Sequence, residues 1–135
     1  MSDLRILTPH SFGSDQRGWS IDPILRDDFP DGDVKNLHLV SILPGHIRGN
    51  HYHEQLTEYA LFIAGSGILA VLDRQTEQRQ EIPISTSDGP VLVKLPAGVV
   101  HAIKNTGVDT LYVLNYSNAE HPSDRLDQVR EVILE

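Results

Sequence analysis

Three histidines and one glutamate in this chain have the residue types and the spacing of a metal site. His51 and His53 are separated by one residue, and side chains two positions apart on a β-strand point to the same face. Glu58 follows after a short stretch that can reverse the chain onto a neighbouring strand. His101 comes after a Pro-Gly turn and two valines, which favour the start of another strand. The spacing therefore predicts one site assembled from three strands of a small β-barrel.

Imidazole nitrogens and a carboxylate oxygen suit several divalent metals and leave coordination positions open for water or substrate. The chain has no cysteine, so any ligand must be nitrogen or oxygen. We expect one divalent ion, zinc first, with iron, manganese, nickel and copper as alternatives. The opposing interpretation is that the histidines merely form hydrogen bonds inside a polar barrel.

Length and charge limit the class of protein. With 135 residues the chain is long enough for a single domain with its own core. A formal charge of -8 argues against a nucleic-acid binder, since such modules present a basic face. No signal-peptide pattern and no long apolar run is present, which predicts a cytoplasmic protein without a membrane partner.

Short segments rich in Val, Ile and Leu alternate with clusters of Gly, Pro, Asp and Asn, a pattern typical of an all-β sandwich or barrel. The segment 122–134 has both helical spacing and β-branched residues, and both interpretations remain open. Strands are predicted near Leu37 to Leu43, Arg48 to His53, Glu58 to Ile63, Ile68 to Leu72, Val91 to Leu95, Val99 to Lys104 and Thr110 to Tyr116.

Two motifs can be followed through these strands. The first passes through Gly45, His51, His53, Glu58 and Gly65, and the second through Gly89, Pro96, Gly98, His101 and Asn105. Together they resemble the two motifs of the cupin superfamily, with one extra residue in the second. The resemblance implies a double-stranded β-helix, a jelly-roll barrel spanning 1–135, in which the three histidines and Glu58 match the metal ligands.

A second resemblance concerns function. The run Arg-Gly-Asn-His-Tyr-His at 48–53 and the segment Asp15 to Trp19 look like parts of cupins that act on nucleotide-linked 4-keto sugars. The first run is closest to the cupin domain of capsular polysaccharide assembly epimerases, and dTDP-4-dehydrorhamnose 3,5-epimerases are similar. This likeness implies an epimerase or isomerase in polysaccharide biosynthesis, with a sugar nucleotide in the barrel mouth. A metal-dependent dioxygenase and a non-catalytic binding module are the alternatives.

Epimerisation beside a ketone needs a base, an acid and stabilisation of the enolate oxygen. The base must lie outside the ligand set, unless no metal binds and His51 or His53 takes the proton. Tyr116, slightly ahead of Tyr112, is the predicted acid.

Four further residues are candidates for contact with substrate. His38 alternates with apolar residues that would line the interior, and Asn105 closes the second motif. Arg48 would face away from His51 on a regular strand, but a bulge at the intervening glycine would turn it inward. Arg17 precedes Gly18 in the other segment that resembles sugar cupins.

A homodimer is expected for two reasons. The apolar segment from Ile21 to Leu25 has little to cover it in so small a barrel. Trp19 is a large apolar anchor of the kind found at interfaces, an interpretation favoured over stacking of its ring on a nucleotide base.

Overall fold

The protein is built almost entirely of antiparallel strands. The computed structural model describes residues 5–7, 10–24, 28–29, 33–118 and 127–135. All seven predicted strands are present, together with four that the sequence pattern did not predict and a fifth in the segment 122–134, where a strand was one of two open interpretations. The strands are β1 (Arg5–Leu7), β2 (His10–Asp15), β3 (Gly18–Asp22), β4 (Asn36–Ile42), β5 (Ile47–His53), β6 (Glu58–Ala64), β7 (Ser66–Asp73), β8 (Arg79–Ser85), β9 (Val91–Leu95), β10 (Val99–Asn105), β11 (Leu111–Ser117) and β12 (Gln128–Arg130).

Two five-stranded sheets carry the fold. The first sheet has the order β1-β9-β6-β11-β4 and the second the order β12-β5-β10-β7-β8. Their inner faces enclose an apolar core at one end, where strand alternation directs side chains such as Phe62, Leu69, Val71, Val93 and Val113 inward. The other end contains the polar residues of the candidate site. The architecture is the predicted all-β jelly-roll barrel, and no described helix is long and apolar enough to cross a membrane.

The strand β8 escaped prediction because its sequence is polar and includes Pro83, which lacks a backbone N–H. It lies at the edge of the second sheet and pairs only with β7 among the described strands, which is where a proline is tolerated. In the ambiguous segment 122–134, residues 128–130 form β12, which pairs with β5. Residues 122–126 lie outside the described residues.

An aromatic cluster covers the outer face of the first sheet. Phe29 packs against Tyr59 and Tyr116 with ring centroids 4.9 and 5.8 Å apart. Ile21 and Ile24 pack against the same cluster. The predicted need for a dimer to cover this segment was therefore wrong for Ile21 and Ile24, because their own chain covers them. Leu25 lies outside the described residues.

Candidate functional site

The four predicted metal ligands converge between the two sheets. His51 and His53 lie on β5 and His101 on β10, and His51 is the direct cross-strand partner of His101. Glu58 comes from β6 of the facing sheet. One ligand nitrogen from each histidine lies within 4.8 Å of the other two. Residues up to 50 positions apart are thus brought together because β5 and β10 are neighbouring strands.

The carboxylate of Glu58 completes the cluster. One of its oxygens is 3.3 Å from Nε2 of His53, and the other is 3.9 Å from Nε2 of His101. Burial alone would raise the pKa of Glu58, but the hydrogen bond with His53 and the charge of the histidines lower it to about 2. The carboxylate is therefore ionised at neutral pH, which is the form that binds cations.

The electrostatics of the histidines suit the same role. Burial, followed by the charge of His101, lowers the pKa of His51 to about 4. Burial likewise lowers the pKa of His101. Nδ1 of His101 lies 3.2 Å from the carbonyl oxygen of Val99, an arrangement that places the proton on Nδ1 and leaves the Nε2 lone pair facing the cluster. The lowered pKa values keep the imidazoles of His51 and His101 neutral at neutral pH, and neutral imidazoles beside an ionised carboxylate fit a divalent transition metal.

A bulge in β5 decides which residues join the site. His101 pairs with His51, whereas Ala102 pairs with Gly49, so Asn50 is an extra residue. Gly49 and Asn50 have φ values of 94° and 57°, in the left-handed region. A Cβ on Gly49 would lie 2.7 Å from the carbonyl oxygen of His101, which explains the glycine.

The bulge reverses the alternation of side chains before His51. Arg48 consequently pairs with Ile103 and lines the same cavity as the histidines, as the bulge hypothesis predicted. Its Nε donates a hydrogen bond of 2.9 Å to the carbonyl oxygen of Ser41 at the cavity mouth. One positive charge is thereby held beside the entrance.

The cavity has a volume of about 290 Å³ and two chemically different walls. The second sheet contributes the histidine cluster, and the first contributes Glu58 and apolar side chains including Val40 and Val113. His38 lines the cavity as predicted, directly across the strand pair from Asn115. Asn115 and Gln128 also line it, and the sequence analysis missed both because neither belongs to a recognisable motif.

The C-terminal segment supports the loop that joins His53 to Glu58. The carboxylate of Asp127 accepts hydrogen bonds from the backbone N–H groups of Glu54, Gln55 and Leu56 at 2.8 to 3.0 Å. One of its oxygens is 3.9 Å from Nδ1 of His53. Sequence gave no signal for this residue, because it lies more than 70 positions from the loop.

The same segment also binds the bulge. The side chain of Asn50 accepts from the N–H groups of Ile133 and Leu134 and donates to the carbonyl oxygen of Leu134. Residues 127–134 therefore support both ends of the histidine motif.

The two tyrosines predicted as acids lie elsewhere. Tyr116 is buried in the outer aromatic cluster, where its hydroxyl donates to the carbonyl oxygen of Pro23 at 2.9 Å. Burial raises its pKa, and the charges of Asp22 and Asp28 raise it further. Tyr112 is on the same outer face and is 40% exposed. We correct both assignments. Val113 and Asn115 of β11 line the cavity, and because alternate side chains of a strand face opposite sides, Tyr112 and Tyr116 face away from it.

Two predicted substrate contacts are also corrected. Asn105 is fully buried, and its amide donates to the carbonyl oxygens of Ile42 and Asp109 while accepting from the N–H of Gly107. It is a turn residue with a structural role. Arg17 is exposed in the β2–β3 turn and forms an ion pair with Asp15 at 2.6 Å, outside the cavity.

Comparison with known proteins identifies the class. The polysaccharide biosynthesis C-terminal domain family matches residues 14–129, so the chain belongs to that family. Solved structures with a similar fold agree with the predicted barrel.

Among individual proteins, the spore coat polysaccharide biosynthesis protein SpsL of Bacillus subtilis is 25% identical over 91 residues, covering 64% of this chain and 60% of SpsL. The capsular polysaccharide assembling protein CapF of Staphylococcus aureus is 21% identical with a TM-score of 0.67, over 96% of this chain and 35% of CapF. ChmJ, a 3'-monoepimerase from Streptomyces bikiniensis crystallised with dTDP-quinovose, is 21% identical with a TM-score of 0.73, over 94% of this chain and 68% of ChmJ. The chain therefore spans 60% of SpsL and 35% of CapF.

Proposed function

We propose that this protein is a metal-binding epimerase or isomerase of a nucleotide-linked 4-keto sugar in polysaccharide biosynthesis. The observation that carries the proposal is the convergence of His51, His53, Glu58 and His101 in one cavity of a polysaccharide biosynthesis family member. The name of ChmJ adds support, since it is an epimerase with a similar fold and a dTDP-sugar ligand.

The cavity dimensions favour a sugar ring as the part that enters. The cavity volume of about 290 Å³ lies just below the range of about 300 to 1,000 Å³ that is usual for ligand pockets. A nucleotide would then remain at the mouth, where Arg48 offers a positive charge to its phosphates. The apolar side chains of Val40 and Val113 would pack against the less polar face of the ring and exclude water from it.

One zinc ion per chain is the metal that we propose, with the three imidazoles and Glu58 as its ligands. A divalent ion in that position would supply Lewis-acid polarisation of the ketone. The chain itself would orient the sugar ring between the two sheets and would bind the nucleotide through Arg48. The carbonyl oxygen of Val99 would keep His101 in the tautomer whose Nε2 lone pair points into the cavity. A group outside the ligand set would move the carbon-bound proton.

A homodimer is part of the proposal, for which Trp19 remains a reason and the exposed outer face of β4 is a new one. Leu37 and Leu39 on the edge strand β4 are each 61% exposed, and they extend the outer apolar face of the first sheet beyond its aromatic cluster. Trp19 is 44% exposed on a hairpin whose strands pair only with each other among the described strands. A second copy could cover both features symmetrically. Sedimentation should show a dimer that Leu39→Arg dissociates, whereas a monomeric wild-type protein would exclude this part of the proposal.

Metal analysis is the first test of the site. Elemental mass spectrometry of the untagged protein should find about one zinc per chain, and His53→Gln should lower this content. His46→Gln is the matched control, because His46 is exposed in a turn outside the cavity. Iron, nickel or copper instead of zinc, together with dependence on that metal, would favour the oxygenase.

Hydrogen exchange tests the reaction class without knowledge of the stereochemistry. The protein is incubated in D₂O with dTDP-4-dehydrorhamnose and with UDP-linked 4-keto sugars, and deuterium at the carbons beside the ketone is followed by NMR. We expect incorporation with at least one sugar. Binding that stabilises the protein without any exchange would instead indicate a non-catalytic binding module.

A further inference from the structure

The proposed reaction requires a proton-transfer group that is not a metal ligand. If His51, His53 and His101 bind a metal ion through their cavity-facing nitrogens, those lone pairs are engaged and cannot accept a proton from substrate carbon. Tyr116 and Tyr112, the groups that the sequence favoured, lie on the other face of their strand. The role is therefore open among the remaining residues of the cavity.

Among the described residues that line the cavity, the ionisable side chains outside the ligand set are His38 and Arg48. A guanidinium keeps its proton throughout the physiological range, so Arg48 cannot act as a base. An imidazole can both accept and release a proton near neutral pH. The chemistry of the lining thus selects His38.

The position of His38 fits this role. It lies on β4, in the first sheet, whereas His51 and His101 lie on the second sheet. Its cross-strand partner is Asn115, and both residues line the cavity. A sugar ring bound between the sheets would consequently present one face to the histidine cluster and the other to His38.

Solvent access also distinguishes His38. It is exposed at the cavity mouth, whereas His53 and His101 are buried. In an epimerisation, a group that removes the carbon-bound proton must release that proton to water before the next turnover. His38 can therefore exchange its proton directly with solvent.

We propose that His38 is the catalytic residue that transfers the carbon-bound proton of the substrate, an inference that rests on the proposed function. Its neutral imidazole takes the proton from the carbon beside the ketone, and the C–H electron pair forms the C=C bond of an enolate whose oxygen carries the negative charge. Where that carbon bears a hydroxyl, transfer of the hydroxyl proton to the enolate oxygen gives the isomeric enediolate. Return of the carbon-bound proton from the imidazolium to the former carbonyl carbon then forms the new C–H bond, and the neighbouring oxygen becomes the new ketone, which completes an isomerisation. Protonation of the original carbon by water on the opposite face completes an epimerisation, and His38 then releases its proton to solvent.

The test uses His38→Gln, His38→Glu and the control His46→Gln, each in the zinc-loaded full chain. Deuterium incorporation into dTDP-4-dehydrorhamnose and UDP-linked 4-keto sugars is measured as a function of sugar concentration, which separates kcat from KM. Zinc content and the rise in Tm on adding each sugar report on the metal and on binding.

We expect His38→Gln to lower kcat for exchange by about 10² to 10⁴-fold, with zinc content, KM and the rise in Tm unchanged. His38→Glu places another base on the same strand and should restore part of the rate, and His46→Gln should match the wild type. Full exchange by His38→Gln would overturn the inference while leaving the proposed function standing. Loss of zinc or of sugar binding together with exchange would also overturn it, in favour of a binding role. Absence of exchange in the wild type with every sugar would refute the proposed function, and the inference would fall with it.

Discussion

Removal of the Asp127 carboxylate should weaken both the fold and the metal site, because one side chain fixes the loop that joins His53 to Glu58. Its oxygens accept from three consecutive backbone N–H groups at 2.8 to 3.0 Å, and the side chain is 12% exposed. In Asp127→Ala the N–H groups of Glu54 and Gln55 can form hydrogen bonds with water because these residues are exposed. The N–H of Leu56 is partly buried and would lose its acceptor.

The expected loss of stability follows from these bonds. One buried donor left unsatisfied costs about 1 to 3 kcal/mol, and each rehydrated bond to a charged acceptor adds a fraction of its usual value. We therefore expect Asp127→Ala to lower the free energy of unfolding by about 2 to 4 kcal/mol. Zinc affinity should fall by about 10 to 100-fold, as is usual when a group behind a ligating histidine is lost.

Urea unfolding of the zinc-free protein gives the first quantity, and competition with a chromogenic chelator gives the second. Asp73→Ala is the matched control, since Asp73 accepts from the N–H groups of Gln75 and Thr76 in an exposed turn remote from the cavity. This control should cost about 1 kcal/mol or less and leave zinc affinity unchanged. Equal urea midpoints and equal zinc affinities for the two variants would show that Asp127 does not support the loop between His53 and Glu58.

Three further predictions concern the bulge, the outer cluster and pH. Gly49→Ala should lower the free energy of unfolding by about 2 kcal/mol or more, because its φ of 94° and the 2.7 Å approach of the His101 oxygen both disfavour a Cβ; an unaffected urea midpoint would show that the bulge can rearrange at no cost. Tyr116→Phe should lower the free energy of unfolding by about 1 kcal/mol through loss of the hydrogen bond to Pro23, and deuterium exchange should be unchanged. A reduced kcat for exchange would instead indicate that Tyr116 takes part in the reaction. In the zinc-free protein, stability should fall as pH decreases from about 6.5 to about 4, since unfolded His51 takes up a proton that the folded residue, with its pKa of about 4, does not bind. Urea unfolding across this range should give a shallower pH dependence for His51→Gln, and an equal dependence would assign the effect to other groups.

Local sequence patterns were enough to predict seven of the strands and the grouping of three histidines with Glu58. Alternation of apolar and polar residues has a period of two in any strand, so His51 and His53 had to share a face wherever the strand lay. Turn residues placed Glu58 on the following strand and His101 at the start of β10. These relations are local, and local relations can be derived without knowledge of the fold.

The other residues of the site could not be identified before the arrangement of the strands was known. Alternate residues of β11 face opposite sides of its sheet, but the sequence did not show which set faces the cavity. In the structure Asn115 faces the cavity and Tyr116 faces outward. The bulge that brings Arg48 into the cavity depends on the register between β5 and β10, two strands that are distant in the sequence. Asp127 reaches its loop from over 70 residues away, through the pairing of β12 with β5. Contacts of this kind depend on which strands become neighbours, and the packing of the whole barrel determines that.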